Sequence, residues 1–456
     1  MTEEGSRLPL RLCIEYIAPS TLKANPLNPR VHPPRQIKAL CRSIREHGFA
    51  VPVLIDREGR LIAGHARIEA ALKVGLSEVP VVQLDQLSEA QARSLMIADN
   101  QLTDMSRWDP DLLAQNFRLL AVEGLDLDLE ATGFSMGEID LILDPATTVP
   151  EDDPDDAPMA PGVGPPVNQV GDQWRLGKDG RHHLGCDSAL DPAVWKELLA
   201  GEKAMMSISD VPYNVRIAGN VSGLGRIRHG EFVMASGEMH TDEYEEFLAV
   251  AFRNLVAHSE SGSLHYAFID WKHLGEMQTA GDRVFTELKN VCVWDKGRGG
   301  MGSLYRSAHE FVFVWKAGKG RHRNNVELGR HGRNRTNVWS YPGIGTFRHS
   351  DEGDLLALHP TVKPVRLIAD AILDVTARGD IVLDAFLGSG TTIIAAERVG
   401  RRCFGVELDP AYADVAIRRF ERHSGEEAVH VASGRAFAEI ASDRAAETGV
   451  GEADHG

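Results

Sequence analysis

Residues 381–410 constrain the fold of this chain more than any other stretch. The apolar run from Ile381 to Leu383 predicts a buried strand, and a glycine-containing loop opens an alanine-rich helix directly after it. A second apolar strand follows the helix and ends at Glu407. A strand, a glycine loop, a helix, a second strand and an acidic residue in this order predict an open α/β sheet. Such a sheet holds a nucleotide-type ligand at the carboxyl ends of its strands.

The loop narrows the choice of ligand. Gly388 and Gly390 form a Gly-x-Gly pair without the third glycine of the dinucleotide fingerprint, and the lysine of a phosphate-binding P-loop is also absent. Glu407 lies 17 residues after Gly390, close to the roughly 20-residue offset at which a carboxylate meets a ribose hydroxyl in nucleotide-binding folds. Carboxylates around a glycine turn suit a ligand that has an adenosine ribose and a cation but no phosphate. We therefore expect S-adenosylmethionine, which carries a sulfonium cation.

A second candidate site follows the apolar run from Ala204 to Ile208, which predicts another buried strand. Asp210-Val211-Pro212-Tyr213 stands where that strand would open into a loop. An aspartate there can accept hydrogen bonds from an amino group, and a tyrosine can stack on a flat ring. An ordinary Asp-x-Pro turn is the alternative, which these four residues alone favour. The motifs in the rest of the chain favour catalysis.

The composition excludes several classes of protein. The 456 residues are enough for two or three domains, and no stretch approaches the roughly 18 apolar residues of a membrane span. The N-terminus has no basic-then-apolar signal pattern. The five cysteines lie far apart without a Cys-x-x-Cys pair, which predicts neither a disulfide framework nor a thiolate zinc site. We expect a cytoplasmic protein with no membrane partner and no metal, present as a monomer or a homodimer.

The formal net charge of −17 conceals a basic segment. Between Lys296 and Arg348 the chain has eleven Lys and Arg residues and only two acids, Glu310 and Glu327. A nucleic-acid-binding protein needs only a local basic surface, since the net charge is an average over the chain. The basic segment is therefore a candidate nucleic-acid-binding surface, and a solvated charged loop is the alternative. Its candidate contacts to phosphates and bases are Arg321, Arg323, Arg330, Arg333 and Arg335, with Asn324, Asn325, Asn334 and Trp339.

The N-terminal part is predicted to form a smaller α+β domain. Short strands and helices occupy residues 8–85, and Gly64-His65-Ala66-Arg67 opens one of the helices. A glycine at that position lets backbone amides approach an anion, and Arg67 can add a bidentate contact. Together with Asn28-Pro29-Arg30, this motif resembles the ParB-like, sulfiredoxin-related domain. The resemblance implies that Gly64, His65 and Arg67 bind a phosphate or nucleotide, with a nucleotide or DNA as partner. A glycine-initiated helix with a solvated arginine is the alternative.

The composition changes sharply after residue 143. Residues 144–168 are rich in Asp, Pro and Gly without a helical or strand period, which predicts a flexible acidic linker. Apolar strands then alternate with helices, a pattern typical of a mostly parallel sheet covered on both faces. The predicted organisation is a ParB-like domain with a helical extension over 1–143, the linker over 144–168, the α/β domain over 169–423 and a C-terminal tail over 424–456.

Four motifs of the α/β domain resemble those of the amino-group DNA methyltransferases. They are Asp210-Val211-Pro212-Tyr213, His359 to Pro364, Asp384 to Gly390, and Gly405-Val406-Glu407. The catalytic motif precedes the cofactor loop, as it does in the permuted β class of that family. The basic segment lies between these motifs, where that class carries its target-recognition region, so the resemblance implies a candidate recognition region over about 317–357. The resemblance implies a Rossmann-like, S-adenosylmethionine-dependent methyltransferase domain with a circularly permuted order of motifs.

The resemblance also implies roles for individual residues. Asp210 and the Val211 carbonyl would accept hydrogen bonds from the target amino group, Pro212 completes the same motif, and Tyr213 would stack on the extruded base. The family usually has proline where this chain has Val211, but either residue supplies the main-chain carbonyl. The expected cofactor-binding residues are Asp187, Lys363, Asp384, Phe386, Gly388, Ser389, Gly390, Thr391 and Glu407.

These observations predict a site-specific methyltransferase that acts on a base amino group of double-stranded DNA, as in restriction-modification. Asp210 favours adenine N6 over cytosine N4. Methylation of a cytosine carbon would need a cysteine nucleophile, typically after proline, and no cysteine of this chain follows a proline. The alternatives are cytosine N4 methylation, methylation of RNA or of a protein amide, and a non-catalytic DNA-binding or partition-type regulator.

Overall fold

The structure, a computed structural model, describes residues 12–122, 127–143, 159, 161, 164–214, 237–297, 299, 304–326, 328, 335–342 and 363–450. The chain divides into two compact units, Met1–Pro145 and Ala146–Gly456. In the described ranges no helix is long and apolar enough to cross a membrane.

The first unit is an α+β fold built on a four-stranded sheet. Its strands and helices, in chain order, are β1 (Ile14–Ile17), α1 (Pro34–His47), β2 (Val53–Ile55), β3 (Leu61–Ala63), α2 (His65–Val74), β4 (Val79–Gln83), α3 (Glu89–Asp104), α4 (Pro110–Val122) and α5 (Met136–Leu143). The sheet order is β1-β4-β2-β3, in which β2 and β4 are parallel and the other two pairs antiparallel.

The predicted periodicity accounts for the core of the first unit. Ile37 and Ile44 lie on one side of α1, and Ile68 of α2 is buried with the sheet residue Val81. α3 begins at a capping box, in which the Ser88 side chain accepts a hydrogen bond from the Gln91 backbone and the Gln91 side chain accepts one from the Ser88 backbone. The secondary structure of this unit therefore follows the sequence pattern closely.

The second unit is built on a ten-stranded sheet. Its elements are β5 (Gln173–Leu176), β6 (His182–Cys186), α6 (Pro192–Leu199), β7 (Ala204–Asp210), α7 (Thr241–Ala257), β8 (Ser259–Ile269), α8 (Leu274–Val284), β9 (Glu287–Asp295), β10 (His309–Lys316), β11 (Val338–Ser340), α9 (Val365–Val375), β12 (Ile381–Asp384), α10 (Thr391–Arg398), β13 (Arg402–Glu407), α11 (Pro410–Ser424), β14 (Val429–His430) and α12 (Phe437–Val450). The sheet order is β11-β9-β10-β8-β7-β12-β13-β6-β5-β14.

The middle of this sheet is parallel. The neighbours from β8 through β7, β12 and β13 to β6 all pair in parallel, and antiparallel pairs such as β8 with β10 and β6 with β5 flank them. The middle strands are apolar along their whole length because helices cover both faces; Val382 and Leu383, for example, are fully buried. The predicted α/β fold class is confirmed.

In the structure, parts of the predicted linker and of the predicted tail pack into the second unit. The backbone amides of Val167 and Asn168 donate hydrogen bonds to the Asp414 carboxylate at 2.9 and 2.8 Å. At the other end, β14 pairs with β5, and the buried Phe437 ring lies 5.3 Å from the Trp174 ring. Asn168 of the predicted linker and Ala428, Phe437 and Ile440 of the predicted tail are buried, so these parts of both segments belong to the packed second unit.

Candidate active site

Four neighbouring strands end in carboxylates at one edge of the sheet. Asp210 ends β7, Asp384 ends β12 and Glu407 ends β13, while Asp187 directly follows β6. The strands are parallel and adjacent: Leu383 pairs with Ser207, Asp384 with Gly405, and Glu407 with Cys186. The carboxyl ends of these strands are therefore together, where open α/β sheets bind their ligands. The sheet brings together the two sites that the sequence indicated separately.

The glycine loop turns sharply between β12 and α10. Gly388 and Gly390 have φ angles of 53° and 82°, a left-handed backbone that residues with a side chain rarely adopt. A Cβ atom on Gly390 would lie 2.9 Å from Cβ of Ala416 in α11. Nothing lies within 4 Å of a Cβ built on Gly388. Gly390 is thus needed for helix packing, whereas Gly388 leaves open space beside the carboxylates.

We predict that Gly390→Ala lowers the free energy of unfolding by about 2–5 kcal/mol. The left-handed backbone costs a residue with a side chain about 1–2 kcal/mol, and the contact with Ala416 adds about 1–3 kcal/mol of overpacking. Gly379→Ala is the matched control, because Gly379 has a φ of 81° and open space around its Cβ position. Urea unfolding of both variants measures the difference, and equal losses would contradict the packing role of Gly390.

Glu407 is fixed by two backbone amides. Its Oε2 accepts a hydrogen bond from the Gly388 amide at 2.7 Å, and its Oε1 accepts one from the Asp409 amide at 2.8 Å. Burial raises the pKa of Glu407 to about 7. The carboxyl group is therefore oriented and changes its charge near neutral pH.

Asp384 and Asp187 flank Glu407 on the neighbouring strands. Asp384 Oδ1 accepts a hydrogen bond from the Phe386 amide at 3.1 Å, Oδ2 accepts one from Thr392 Oγ1 at 2.6 Å, and burial raises its pKa to about 6. The Asp187 backbone amide donates a hydrogen bond to the Glu407 carbonyl at 3.0 Å. The backbone thus links the end of β6 to the end of β13.

Two of the predicted cofactor residues are tied to a buried arginine. Arg419 of α11 donates to the Ser389 carbonyl and hydroxyl at 2.6 Å and to the Thr391 hydroxyl at 3.3 Å. Ser389 and Thr391 lie in the predicted loop, and their contacts with Arg419 stabilise the conformation of that loop. Arg419 is 2% exposed, so the loop is anchored from within the core.

The Asp210 motif forms the other half of the site. Val211 is buried in the core, and the Pro212 carbonyl accepts a hydrogen bond from the Tyr244 hydroxyl at 2.6 Å. The Tyr213 hydroxyl donates toward Asp210 Oδ1 at 2.8 Å and Glu310 Oε2 at 3.0 Å. The core and the neighbouring helix thereby hold the backbone after β7 in place without the proline that the family usually has.

Lys363 stands beside Asp210 and not beside the Glu407 group. Its Nζ lies 2.5 Å from Asp210 Oδ2 and 3.2 Å from Glu310 Oε2. Glu310 begins the buried part of β10 and also pairs with Lys296, at 2.5 Å. Lys363 is predicted from the sequence to bind the cofactor, whereas the sequence indicates no individual role for Glu310 or Lys296. An isolated acid within the basic segment, next to the apolar run from Phe311, is the signal that could have indicated Glu310.

The ionisable groups of this cluster differ in how the protein shifts their pKa values. Burial opposes the charge of Lys363, but Asp210 and Glu310 outweigh it and raise the pKa of the ammonium group. Burial likewise opposes the charge of Glu310, but Lys363 and Lys296 outweigh it and lower the pKa of Glu310. Burial raises the pKa of Asp210, which Lys363 offsets only in part. Of the two carboxyl groups, Asp210 therefore has the higher affinity for a proton.

The structure divides the five candidate DNA-contacting arginines. Arg321 is exposed and Arg323 half-buried, whereas Arg330 and Arg333 lie outside the described residues. Arg335 differs from the prediction: its Nε donates to Asp374 Oδ2 at 3.0 Å, and its guanidinium lies over the Trp339 ring. Its side chain is 16% exposed.

Asn325 and Trp339 of the same region also point inward. Asn325 and Trp339 are 6% and 5% exposed. The Asn325 amide donates to the Leu373 and Thr376 carbonyls at 2.7 and 2.8 Å, and the Trp339 indole donates to the Thr336 carbonyl at 3.1 Å. The polar groups of Asn325 and Arg335 attach the candidate recognition region to the end of α9, whereas Trp339 belongs to β11 of the sheet.

The N-terminal motif is placed as predicted at the start of α2, but its side chains have protein partners. Gly64 caps the helix with a φ of 99°, and His65 Nε2 accepts a hydrogen bond from the Asn25 amide at 3.3 Å. Arg67 donates to the Val51 and Pro52 carbonyls at 2.7 and 3.0 Å. In this structure Arg67 holds the loop before β2, which differs from the solvated arginine of the alternative.

Three family models match the chain in succession. Residues 11–101 match the ParB N-terminal domain, residues 111–170 match the ParB-methyltransferase HTH domain, and residues 205–418 match a DNA methylase family, N6_N4_Mtase. The chain thus combines ParB-type domains with a DNA methylase domain. The HTH match includes α5 and overlaps the predicted linker over 144–168.

Similar proteins are found among curated sequences and solved structures. Type II methyltransferase M2.DpnII of Streptococcus pneumoniae is 46% identical over 63 residues, 14% of this chain and 24% of that protein. Type II methyltransferase M.BglII of Bacillus subtilis is 37% identical over 87 residues, 19% of this chain and 23% of that protein. The alignments thus span about a quarter of each relative. The crystal structure of the M1.HpyAVI-SAM complex is 20% identical with a TM-score of 0.36, covering 52% of this chain and 98% of that chain.

Proposed function

We propose that this chain, a DNA methylase domain joined to ParB-type domains, transfers a methyl group from S-adenosylmethionine to a base amino group in double-stranded DNA. The observation that carries the proposal is the placement of Asp210 at the carboxyl end of β7, next to the strand that leads into the glycine loop. The match of residues 205–418 to a DNA methylase family supports the same reaction. Adenine N6 is the favoured target because position 210 is an aspartate.

The Glu407 side of the site suits S-adenosylmethionine. Glu407 has both oxygens oriented by backbone amides and would hold the ribose hydroxyls, while Asp187 would hold the adenine. Asp384, Phe386 and Gly388 would line the methionine side, and nothing lies within 4 Å of a Cβ position on Gly388. Three carboxyl groups and no P-loop lysine match a cationic ligand without phosphate. The bound cofactor supplies a methyl group activated by its positive sulfur.

The Asp210 side performs the acceptor chemistry. An exocyclic amino group is a poor nucleophile because its lone pair is delocalised into the base ring. Asp210 and the Val211 carbonyl accept its hydrogen bonds and favour the pyramidal nitrogen of the transition state, so that the lone pair points at the methyl carbon. The N–C bond forms as the C–S bond breaks, and one proton passes from the nitrogen to solvent. S-adenosylhomocysteine is the other product.

The base has to leave the duplex to reach Asp210. Extrusion costs a few kcal/mol, and stacking on an aromatic ring returns about 1–3 kcal/mol. Tyr213, the ring nearest to the Asp210 carboxylate along the chain, supplies the stacking surface. Arg321 and Arg323 supply contacts to the DNA backbone, and the HTH match of residues 111–170 supports a second DNA contact from the N-terminal part.

The proposal is tested by incubating the full chain and labelled S-adenosylmethionine with duplex DNA, with RNA of the same sequence, and with a glutamine-containing peptide. We expect label in the DNA, in N6-methyladenine after digestion to nucleosides. Label in N4-methylcytosine would move the target to cytosine, and label only in RNA or peptide would refute the DNA substrate. Cofactor binding without transfer to any substrate would favour the alternative of a non-catalytic DNA-binding regulator.

We predict that the affinity for S-adenosylmethionine rises with pH up to about 7 and then levels off. Glu407 has a raised pKa of about 7, so the free protein holds the neutral acid below that pH. Binding the ribose as a carboxylate then requires loss of a proton, which weakens binding by up to about tenfold per pH unit. Titration calorimetry across this range measures the dependence. Glu407→Gln should flatten it near pH 7, and wild-type affinity that is constant or increases on acidification would contradict the prediction.

A further inference from the structure

Four charged side chains of alternating sign form a chain of ion pairs that starts at the catalytic motif. Asp210, Lys363, Glu310 and Lys296 follow one another with N–O distances of 2.5, 3.2 and 2.5 Å. The side chains of Lys363 and Glu310 are 4% and 7% exposed, whereas that of Asp210 is 27% exposed. Asp210 is therefore the carboxylate that an incoming base can reach, and Lys363 and Glu310 lie behind it.

The fold determines the position of Lys363. Lys363 precedes α9 by one residue, Pro364, and the first helical residue, Val365, is fully buried. The ammonium group also lies 5.1 Å from the Phe268 ring centre and 5.6 Å from that of Trp294. These partners belong to β8 and β9, whereas Glu407 ends β13 on the other side of β7 in the sheet. These two ring contacts of Lys363 thus lie on the side of β7 away from Glu407.

Both Asp210 oxygens have a partner from the protein. Oδ1 accepts a hydrogen bond from the Tyr213 hydroxyl at 2.8 Å, and Oδ2 accepts one from Lys363. A carboxylate oxygen can accept a second hydrogen bond, so the target amino group can add to this arrangement without displacing either partner. A carboxylic acid at the same position would present a donor to the amino group. The reaction therefore needs Asp210 to be both charged and held in one orientation.

We propose that Lys363, held in place by Glu310, is a positioning residue that keeps Asp210 ionised and oriented for the target amino group. This inference rests on the proposed methyltransferase function and assigns Lys363 to the acceptor side of the site. Glu310 also pairs with Lys296, so it stays ionised while Lys363 pairs with Asp210. Lys363 acts through Asp210, without a contact of its own to the reacting atoms.

The test is the variant Lys363→Met, which keeps most of the side-chain length and removes the charge. We expect kcat to fall by about 100-fold, as for loss of one preorganised electrostatic group. The Kd for S-adenosylmethionine should stay within about twofold of the wild-type value, since no binding group is lost. The acid limb of the kcat–pH profile should move to higher pH, because Lys363 lowers the proton affinity of Asp210.

Two further variants separate positioning from a structural role. Lys289→Met is the matched control: it removes an ammonium group that pairs with Glu287 at 2.9 Å on the surface of β9, and kcat should not change. Lys363→Met combined with Glu310→Gln removes one charge of each sign and should recover stability lost in the single variant. Its kcat should remain low, because Asp210 still lacks its cation.

The outcomes are distinguishable from failure of the proposed function. If the wild-type chain transfers no methyl group to any substrate, the methyltransferase proposal fails, and this inference fails with it. If the wild type is active but Lys363→Met weakens cofactor binding and leaves kcat unchanged, Lys363 belongs to the cofactor site and the inference is overturned. Recovery of both stability and kcat in the double variant would also overturn it, since that result indicates a purely structural pair.

Discussion

Replacing Asp210 with alanine is expected to lower the rate of methyl transfer by about 10³-fold while the Kd for S-adenosylmethionine stays within about threefold. Asp210 ends β7 and contacts Tyr213 and Lys363, whereas the proposed ribose ligand Glu407 stands two strands away on β13. The alanine removes an acceptor that acts on the target nitrogen in the transition state. Single-turnover rates with duplex DNA and calorimetric titration of the cofactor measure the two effects separately.

The Asp210→Ala variant needs a check of its fold. It leaves the buried ammonium of Lys363 with one carboxylate fewer, and breaking a buried pair can cost about 3 kcal/mol or more. Unfolding curves establish whether the variant is folded at the assay temperature. Asp282→Ala, which removes an exposed carboxylate on α8, is the matched control and should leave rate and affinity unchanged. Transfer by folded Asp210→Ala at a rate near that of the wild type would refute the catalytic assignment.

Replacing Glu407 with alanine is expected to have the opposite signature: the Kd for S-adenosylmethionine rises by at least about 100-fold. Glu407 is oriented by the Gly388 and Asp409 amides, and its proposed hydrogen bonds to two ribose hydroxyls are charge-assisted. Each such bond contributes about 1.5–3 kcal/mol, so losing both exceeds the 2.7 kcal/mol or so that corresponds to 100-fold. Titration calorimetry gives the Kd, and transfer rates at saturating cofactor give the remaining activity.

The control for Glu407→Ala is Glu427→Ala, which removes an exposed glutamate after α11. It should bind the cofactor like the wild type. Under saturating cofactor, Glu407→Ala should recover much of the transfer rate, because Asp210 and its partners are unchanged. An unaltered Kd in Glu407→Ala would exclude Glu407 as the ribose ligand.

Much of this site is predictable because it depends on residues close in sequence. A strand that ends in an acid, followed by Gly388 and Gly390, predicts the turn, the helix and the carboxyl-edge site from a continuous segment. Asp210 follows a buried strand in the same way. The parallel pairing of β7 with β12 then places both motifs at one edge of the sheet.

The charged cluster was not predictable for a physical reason. Glu310 and Lys363 lie on β10 and just before α9, and only the antiparallel pairing of β10 with β8 brings the acid behind Asp210. Arg335 shows the same limit in reverse. Its charge and its place in the basic segment predict a DNA contact, but Asp374 on α9 binds it inside the protein. Charge in a sequence does not reveal whether its partner is DNA or a distant carboxylate of the same chain.

The most direct test of the proposed methyl transfer uses S-adenosylmethionine with a deuterated methyl group. The full chain is incubated with it and duplex DNA, and mass spectrometry identifies the labelled nucleosides, with Asp210→Ala as the parallel control. We expect N6-methyladenine that carries the deuterated methyl group with the wild type and none above background with the variant. The absence of any labelled nucleoside from a wild-type protein that binds the cofactor and the DNA would contradict it.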